Sequence, residues 1–258
     1  MLYNLSALDG FSLGANDGEI GSVEDFYFDD EAWAIRYLAV DTGTWLSGRR
    51  VLISPSSLGK VDWDGRRIEV TLARNQIENS PHIDTHKPIS RQHESELYDY
   101  YGYPYYWGGP YMWGPVAYPG GYAALPSEAP EQTTQNKELR AMREQQRMED
   151  QHLRSTREVT GYYIEASDGE IGHIEDFMVD DSNWAIRYVV VDTRNWWPGK
   201  KVVVSPQWIS SVNWNETKAH VDLPREQIKQ APEYEKNMRI TRDYEERVHR
   251  HYSRAGYW

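Results

Sequence analysis

Four acidic side chains early in the chain are close enough in sequence to do chemistry together: Glu24, Asp25, Asp29 and Asp30. Paired carboxylates can bind Ca²⁺ or Mg²⁺, or share acid/base work when their pKa values differ. A calcium loop of the EF-hand type needs ligands at alternate positions and a glycine at the sixth, and this spacing offers neither. The pattern therefore favours acids that shape a charged turn and protect a strand edge.

Other residue types that carry chemistry are equally poorly placed. His82, His86 and His93 match no usual metal-ligand spacing. Ser54-Pro55 is not part of a nucleophile elbow, and no glycine-rich phosphate loop is present. The chain has no cysteine, which excludes disulfides and thiolate chemistry. We predict a protein that is not an enzyme and that has no cofactor and no metal site.

The chain contains a long internal repeat. Val23 starts a 20-residue stretch that returns, little changed, at Ile174, and 174 − 23 gives an offset of 151. Without a gap, Asp17–Pro81 aligns with Asp168–Pro232. The offset extends into the tails, where Arg91, Glu94, Tyr106 and Trp107 match Arg242, Glu245, Tyr257 and Trp258. Two long copies indicate two domains in tandem.

Each copy is predicted to be mainly β. Short runs rich in Val, Ile, Tyr and Trp, separated by turn residues, predict six strands. These lie near residues 11–15, 20–28, 33–41, 49–54, 58–63 and 67–72, with counterparts 151 positions later. A short helix before each proline at 81 and 232, and a tail helix that begins after Ser90 or Thr241, should follow each set.

The order of short motifs resembles the PRC-barrel family. They are Asp17–Gly21, Val23–Phe26, Arg36–Asp41 and Val51–Pro55, and each recurs in the second copy. The resemblance implies two small six-stranded β-barrels, each followed by short helices, with a noncatalytic docking role. The same fold is found in the cytoplasmic domain of the photosynthetic reaction-centre H subunit and in one half of a ribosome-maturation factor. More narrowly, the chain resembles bacterial tandem PRC-barrel proteins.

From the repeat we derive domain bounds. The first barrel is expected at 1–85, with a helical, aromatic-ended tail at 86–107, and the second at 156–236, with a tail at 237–258. Residues 108–155 would join them through an aromatic, Pro/Gly-rich stretch and a charged, exposed helix at 131–153. Such aromatic content is unusual for a disordered linker, so this stretch should adhere to protein surface.

Aromatic and basic side chains provide the candidate partner-binding residues. These are Trp45, Arg49, Arg50, Trp107, Trp113, Trp196, Trp197, Lys200, Lys201 and Trp258. The alternative interpretation of the basic pairs is a loop whose Trp covers a barrel end while the cations reach solvent. Since the tail ends keep their spacing, we expect each tail to dock on a barrel, in cis or across a dimer. Its Trp would lie near Trp45 or Trp196.

Composition restricts the partners and the location. A net charge of −12 predicts against direct nucleic-acid binding, because such affinity comes from clustered cations. No apolar run approaches the ~18 residues of a spanning helix, so we expect a cytoplasmic protein. The leading hypothesis is a nonenzymatic scaffold or adaptor that binds protein partners and can form a homodimer. The alternatives are an accessory of photosynthetic or membrane electron transport, bound to a membrane complex, and a ribosome or RNA-processing accessory.

Overall fold

The structure is a computed structural model, and it describes residues 1–81, 89–121, 152–193, 199–236 and 238–258. The chain divides into two compact units. The first unit is formed by Asp9–Arg154, and the second by Met1–Leu8 together with Ser155–Trp258. The predicted charged helix at 131–153 lies, apart from its last two residues, outside the described residues.

The first unit is built on one mainly antiparallel sheet. Its strands in chain order are β2 Ser12–Ala15, β3 Gly18–Asp29, β4 Ala34–Asp41, β5 Arg50–Ile53, β6 Leu58–Asp62 and β7 Arg67–Val70. They are hydrogen-bonded in the order β5-β4-β3-β2-β7-β6, and only the β2–β7 pair is parallel. The six strands predicted from the sequence are confirmed, with ends shifted by at most two residues.

The second unit repeats this arrangement. Its strands are β9 Tyr163–Ala166, β10 Gly169–Asp180, β11 Ile186–Asp192, β12 Lys201–Val204, β13 Ile209–Asn213 and β14 Lys218–Val221. The order β12-β11-β10-β9-β14-β13 is that of the first unit, and the β9–β14 pair is again parallel. Matching sequence has therefore produced matching topology.

Each sheet gains a seventh strand from outside its own repeat. The strand β1, Leu2–Asn4, pairs antiparallel with β10, so that Leu2 faces Asp180 and Asn4 faces Met178. Its repeat counterpart β8, Leu153–Ser155, pairs with β3. The leading strand of each repeat thus completes the sheet of the other repeat.

The expectation of closed six-stranded barrels needs correction. Each sheet has seven strands, and among the described residues its pairing runs as an open path that ends at β5 and β6 in one unit and at β12 and β13 in the other. The parallel pairs β2–β7 and β9–β14 lie in the middle of each path. The outer strands of each path are therefore not paired with each other. The sheets are curved by β-bulges without closing.

Strand β4 lies at the centre of the first core. Seven of its eight residues are buried, which shows that this strand is covered on both faces. One cover is the tail helix α2, Arg91–Tyr101, which follows the short helix α1, Arg74–Glu78. The helices of the second unit are α3 Thr156–Val159, α4 Arg225–Gln230 and α5 Arg242–His251.

The tail helices begin where the sequence indicated. Ser90 precedes α2 in extended conformation, and Thr241 precedes α5 and accepts a hydrogen bond from the backbone N–H of Tyr244. Helix α2 ends at Gly102, whose φ of 70° is the left-handed conformation that glycine tolerates. Among the described residues, no helix is long and apolar enough to cross a lipid bilayer.

Candidate partner-binding site

The tail of the first repeat docks on its own sheet through a buried polar cluster. Glu94, on α2, accepts hydrogen bonds from the hydroxyls of Tyr37 (3.3 Å) and Tyr106 (2.6 Å). Its other oxygen accepts from the Arg91 guanidinium at 3.1 Å. All four side chains are buried. A buried carboxylate is tolerated only when its lone pairs are satisfied, so these contacts fix the helix on strand β4.

Beside this carboxylate lies a second buried charge, the guanidinium of Arg36. Its Nη2 donates to Asp29 at 3.1 Å, and its Nη1 donates to the Met112 carbonyl at 2.7 Å. The guanidinium carbon is 3.8 Å from the ring centroid of Tyr106 and 4.8 Å from that of Trp113. Arg36 is therefore held between two aromatic rings, a geometry that suits its planar cation.

The second repeat builds the same contacts 151 positions later. Glu245 accepts from the hydroxyls of Tyr188 (3.2 Å) and Tyr257 (2.6 Å), and it pairs with Arg242 at 3.3 Å. Arg187 pairs with Asp180 and lies 4.1 Å from the ring centroid of Tyr257. We call the two sets the first tail cluster (Arg36, Tyr37, Arg91, Glu94, Tyr106, Trp107) and the second tail cluster (Arg187, Tyr188, Arg242, Glu245, Tyr257, Trp258).

Electrostatics keep the tyrosines of the first tail cluster as donors. Burial, reinforced by the Glu94 charge, raises the pKa of Tyr37 and Tyr106 well above the usual value. Burial also raises the pKa of the Glu94 carboxyl, and Arg91 and Tyr106 offset only part of that rise. The tyrosine hydroxyls therefore stay protonated and available to the carboxylate at any physiological pH.

In the second tail cluster, His249 takes the position of Tyr98 in the first. Its Nδ1 lies 2.8 Å from the Ala255 carbonyl, which can only accept, and its Nε2 lies 2.9 Å from the Tyr188 hydroxyl. Burial lowers the pKa of this imidazole, although the Ala255 carbonyl and the Glu245 charge oppose the shift. A neutral His249 with the proton on Nδ1 donates to Ala255, and its Nε2 and the Glu245 carboxylate then share the single proton of the Tyr188 hydroxyl.

The clusters differ in what covers them. In the first, the ring of Trp113 is fully buried, with 0% of its surface exposed, and the side chain of Arg36 is 2% exposed. In the second, Trp258 is 52% exposed, and the side chain of Arg187 is 17% exposed. The sequence after Trp107 returns over the first cluster, whereas the second presents its aromatic end to solvent. The exposed end of the second tail cluster is the candidate site.

The acidic turns have structural partners. Asp29 caps its own turn by accepting from the backbone N–H of Glu31 and Ala32, and Asp180 accepts in the same way from Ser182. Asp176 accepts from Asn4 and Ser6 of the leading segment. Asp29 and Asp180 thus shape turns, as the sequence pattern favoured, whereas Asp176 holds the leading segment.

Both basic pairs, proposed as partner contacts, are also engaged within their own units. Arg49 donates to the carbonyls of Glu78, Ser80 and Pro81, after helix α1. Its counterpart Lys200 donates to Ala231 after helix α4.

The second cation of each pair forms an ion pair with a strand carboxylate. Arg50 pairs with Glu24 at 2.6 Å, and Lys201 pairs with Glu175 at 2.5 Å. The alternative interpretation expected these cations to reach solvent, and the structure instead pairs them with groups of their own units.

The predicted site for the tail tryptophan is wrong for the first repeat. Trp45 lies under Arg74, whose guanidinium carbon is 4.2 Å from its ring centroid. Trp107 instead contacts Arg91 at 4.4 Å and stacks on Tyr105 at 4.7 Å. Arg91 lies at the start of α2, and Trp107 follows the end of that helix. The two side chains meet because the chain after α2 turns back along the same helix. Trp196 and Trp197 lie outside the described residues.

The comparisons with known proteins agree with this architecture. Residues 7–76 match the family model of the PRC-barrel domain. The chain carries a PRC-barrel domain. The second sheet, with its identical strand order, indicates that the PRC-barrel unit occurs in tandem. An uncharacterized protein of Deinococcus radiodurans is 31% identical over 96 residues, and the match covers 33% of this chain and 34% of that protein.

Sequence analysis missed the roles of Arg36 and Arg187. Arg36 was noted only as the start of a recurring motif, although the same Arg-Tyr pair lies inside an apolar strand in both repeats. A charged residue in such a strand needs a buried partner, and the repeated Glu94 and Glu245 in the tails were the available signal that tail and strand meet.

Proposed function

We propose that this protein is a nonenzymatic tandem PRC-barrel scaffold that binds a protein partner through the exposed end of its second tail cluster. The observation that carries the proposal is the exposed tryptophan of the second tail cluster. Trp258 is 52% exposed and lies beside the ion pair of Arg242 and Glu245. Exposed aromatic residues supported by a rigid base are typical of interface hot spots.

The support beneath Trp258 is rigid. Its ring lies 4.2 Å from the Arg242 guanidinium and 5.0 Å from the His249 ring. Both residues are on α5, which Glu245 ties to the sheet. A partner that covers this ring gains apolar burial without having to order a mobile loop.

Charge adds no strong preference for a nucleic acid or another anion. Arg187 pairs with Asp180, and Arg242 pairs with Glu245, so the cations at this end have carboxylate partners. A surface of neutralised cations and exposed aromatic side chains favours a protein partner.

The test uses the full chain as bait in extracts of the organism of origin. Wild type, Trp258→Ala and Trp63→Ala are compared, since Trp63 is a similarly exposed tryptophan of the other unit. A protein enriched by wild type and Trp63→Ala but not by Trp258→Ala, and then bound saturably in purified form, would support the proposal. Equal recovery by all three baits, or substrate turnover by the purified chain, would overturn it.

A further inference from the structure

Two neighbouring rings at the end of the first tail differ in their access to solvent. Trp107 is partly exposed, whereas Tyr106 is buried. Their ring centroids are 4.8 Å apart in an edge-to-face arrangement. Indole and phenol rings can each lose one electron, and electron tunnelling falls steeply with distance, so rings in contact exchange electrons readily. An electron can therefore pass from the buried tyrosine to the accessible tryptophan.

The buried phenol has a proton acceptor in place. A tyrosine that loses an electron becomes a strong acid, and it forms a stable radical only when its proton leaves as well. The Tyr106 hydroxyl donates to a Glu94 carboxylate oxygen at 2.6 Å, which is within the range for direct proton transfer. Burial raises the pKa of the Glu94 carboxyl, so this carboxylate is a stronger base than an exposed one. The proton released on oxidation thus has a fixed destination.

Two cations determine which oxidised species is stable. The guanidinium carbon of Arg36 is 3.8 Å from the Tyr106 ring centroid, and that of Arg91 is 4.4 Å from the Trp107 ring centroid. Repulsion from these charges destabilises a radical cation on either ring. A neutral radical on Tyr106, formed when the proton moves to Glu94, avoids that repulsion. An oxidised Trp107 is therefore expected to take an electron from Tyr106.

Further rings connect this pair with the surface of the unit. Tyr105, which is partly exposed, stacks on Trp107 at 4.7 Å with an interplanar angle of 9°. Its hydroxyl donates to the Asp99 carboxylate at 2.6 Å. Tyr98 lies 5.6 Å from Trp107 and 5.7 Å from Tyr106, measured between ring centroids. An oxidant that reaches the outer rings is thus connected to Tyr106 through rings in contact.

The second repeat contains the same three groups in the same arrangement. The ring centroids of Tyr257 and Trp258 are 5.3 Å apart, and the Tyr257 hydroxyl donates to Glu245 at 2.6 Å. Tryptophan, tyrosine and carboxylate therefore occur together in both tails, although the residues around them differ. The position of Tyr105, for example, is Gly256 in the second tail.

We propose that the first tail cluster is a one-electron relay that carries oxidation from its accessible rings to Tyr106. A peroxyl radical or a similar one-electron oxidant takes an electron from Trp107 and becomes a peroxide anion. Trp107 regains an electron from Tyr106, and the phenolic proton passes to Glu94. The products are an intact Trp107, a neutral tyrosyl radical and a protonated Glu94. A one-electron donor such as ascorbate then restores Tyr106, which recovers its proton from Glu94. This activity goes beyond the proposed function and requires no protein partner.

The radical is located with fluorotyrosine placed at position 106 of the full chain. Ruthenium tris-bipyridine, oxidised by light in the presence of a sacrificial electron acceptor, supplies the one-electron oxidant. Electron paramagnetic resonance spectra are recorded once the short-lived signals of exposed rings have decayed. We expect the remaining signal to show fluorine hyperfine splitting, because the unpaired electron lies on the labelled ring. The same label at Tyr100, which is exposed, should leave the signal unsplit.

Two variants test the proton acceptor and the route. Glu94→Gln keeps a hydrogen-bonding group beside Tyr106 but removes the base, so the yield of the Tyr106 radical should fall about ten-fold or more. Trp107→Phe replaces the accessible ring with one that this oxidant does not oxidise, and most of the Tyr106 radical should be lost. Trp63→Phe is the matched control, since Trp63 is an exposed tryptophan of the same unit, and it should give the wild-type yield.

Three results would each overturn the inference. They are a persistent radical without fluorine splitting from position 106, a wild-type yield in Glu94→Gln, and equal yields in Trp107→Phe and Trp63→Phe. The labelled protein keeps every hydrogen bond of Tyr106 and differs from wild type by one fluorine atom. Its spectrum therefore decides the position of the radical even where Glu94→Gln lowers the melting temperature.

Discussion

The backbone N–H of Asp181 donates a hydrogen bond to the carbonyl oxygen of Met1 across 3.0 Å, and Asp30 makes the equivalent bond to His152. The two bonds are related by the repeat offset of 151 residues. Each one anchors the leading strand of one repeat on the turn of the other. The exchange is thus present in both directions, and these two bonds join backbone groups rather than side chains.

The exchange predicts which unit a leading-strand variant damages. Leu2→Ala should destabilise the sheet around β10, and Leu153→Ala should destabilise the sheet around β3, each by about 2–4 kcal/mol, because both leucines are buried. Hydrogen exchange read by peptide fragments checks the assignment. The two variants control each other. If Leu2→Ala lowered protection in 18–29 and spared 169–180, the exchange would be disproved.

The histidine of the second tail cluster predicts a pH dependence. Its folded pKa lies below the ordinary value of about 6.5, so the unfolded chain binds the proton more readily. Stability should therefore fall as pH drops through about 6.5 towards the lowered folded value. His249→Tyr, which installs the residue of the first repeat, should flatten that slope.

Urea unfolding at pH values between about 5 and 8 measures this slope. Exposed His93, on α2, provides the control, and His93→Gln should retain the wild-type difference. The charges that act on His249 are those of Glu245 and Arg242. A His249→Tyr protein with the full wild-type slope would show that another group carries the effect.

Burial should decide the cost of losing each tail hydroxyl. Tyr106→Phe removes a donor to Glu94 inside the fully buried first cluster, and we expect a loss of about 1–3 kcal/mol in the free energy of unfolding. Tyr257→Phe removes the matching donor to Glu245, but this ring is half-buried, and water can replace the bond, so the expected loss is below about 1 kcal/mol. Equal losses in chemical denaturation would contradict this.

The basic pair of the first repeat offers an internal comparison. Arg49→Ala leaves three backbone carbonyls after α1 without their donor, and we expect a loss of about 1–3 kcal/mol. Arg50→Ala breaks a partly exposed ion pair with Glu24, which is expected to contribute less than about 1 kcal/mol. Both should bind a partner as wild type does. A variant that binds the partner more weakly but is as stable as wild type would show that its cation contacts the partner.

Local patterns in the sequence were sufficient for the strands, the tail helices and their first residues. Runs of Val, Ile, Tyr and Trp between turn residues specified β3 and β4, and Ser90 and Thr241 indicated helix starts, because these signals act within a few residues. The repeat also indicated that both tails dock in the same way. In the structure, Glu94 and Glu245 accept matching hydrogen bonds from Tyr106 and Tyr257.

Features that depend on distant residues were not predictable in the same way. Strand β1 is three residues long, and nothing in Leu-Tyr-Asn indicates a partner at Met178–Asp180. Closure of a barrel depends on whether the two outer strands meet, which no local pattern specifies. The neighbours of Trp107 depended on how the chain turns after α2, and so the expected contact with Trp45 was wrong.

The exchange of leading strands sets an order of events during translation. Strand β1 is made long before its partner strand, because Met178 follows Asn4 by 178 − 4 = 174 positions and Asp180 follows Leu2 by 180 − 2 = 178. At about 5–20 residues per second, that interval is roughly 10–35 s. Strand β3 waits for β8 over most of the same period. During that interval the nascent chain carries β1 without its partner β10 and β3 without its partner β8. Correct pairing requires β8 to reach β3 before β1 pairs with β3 instead.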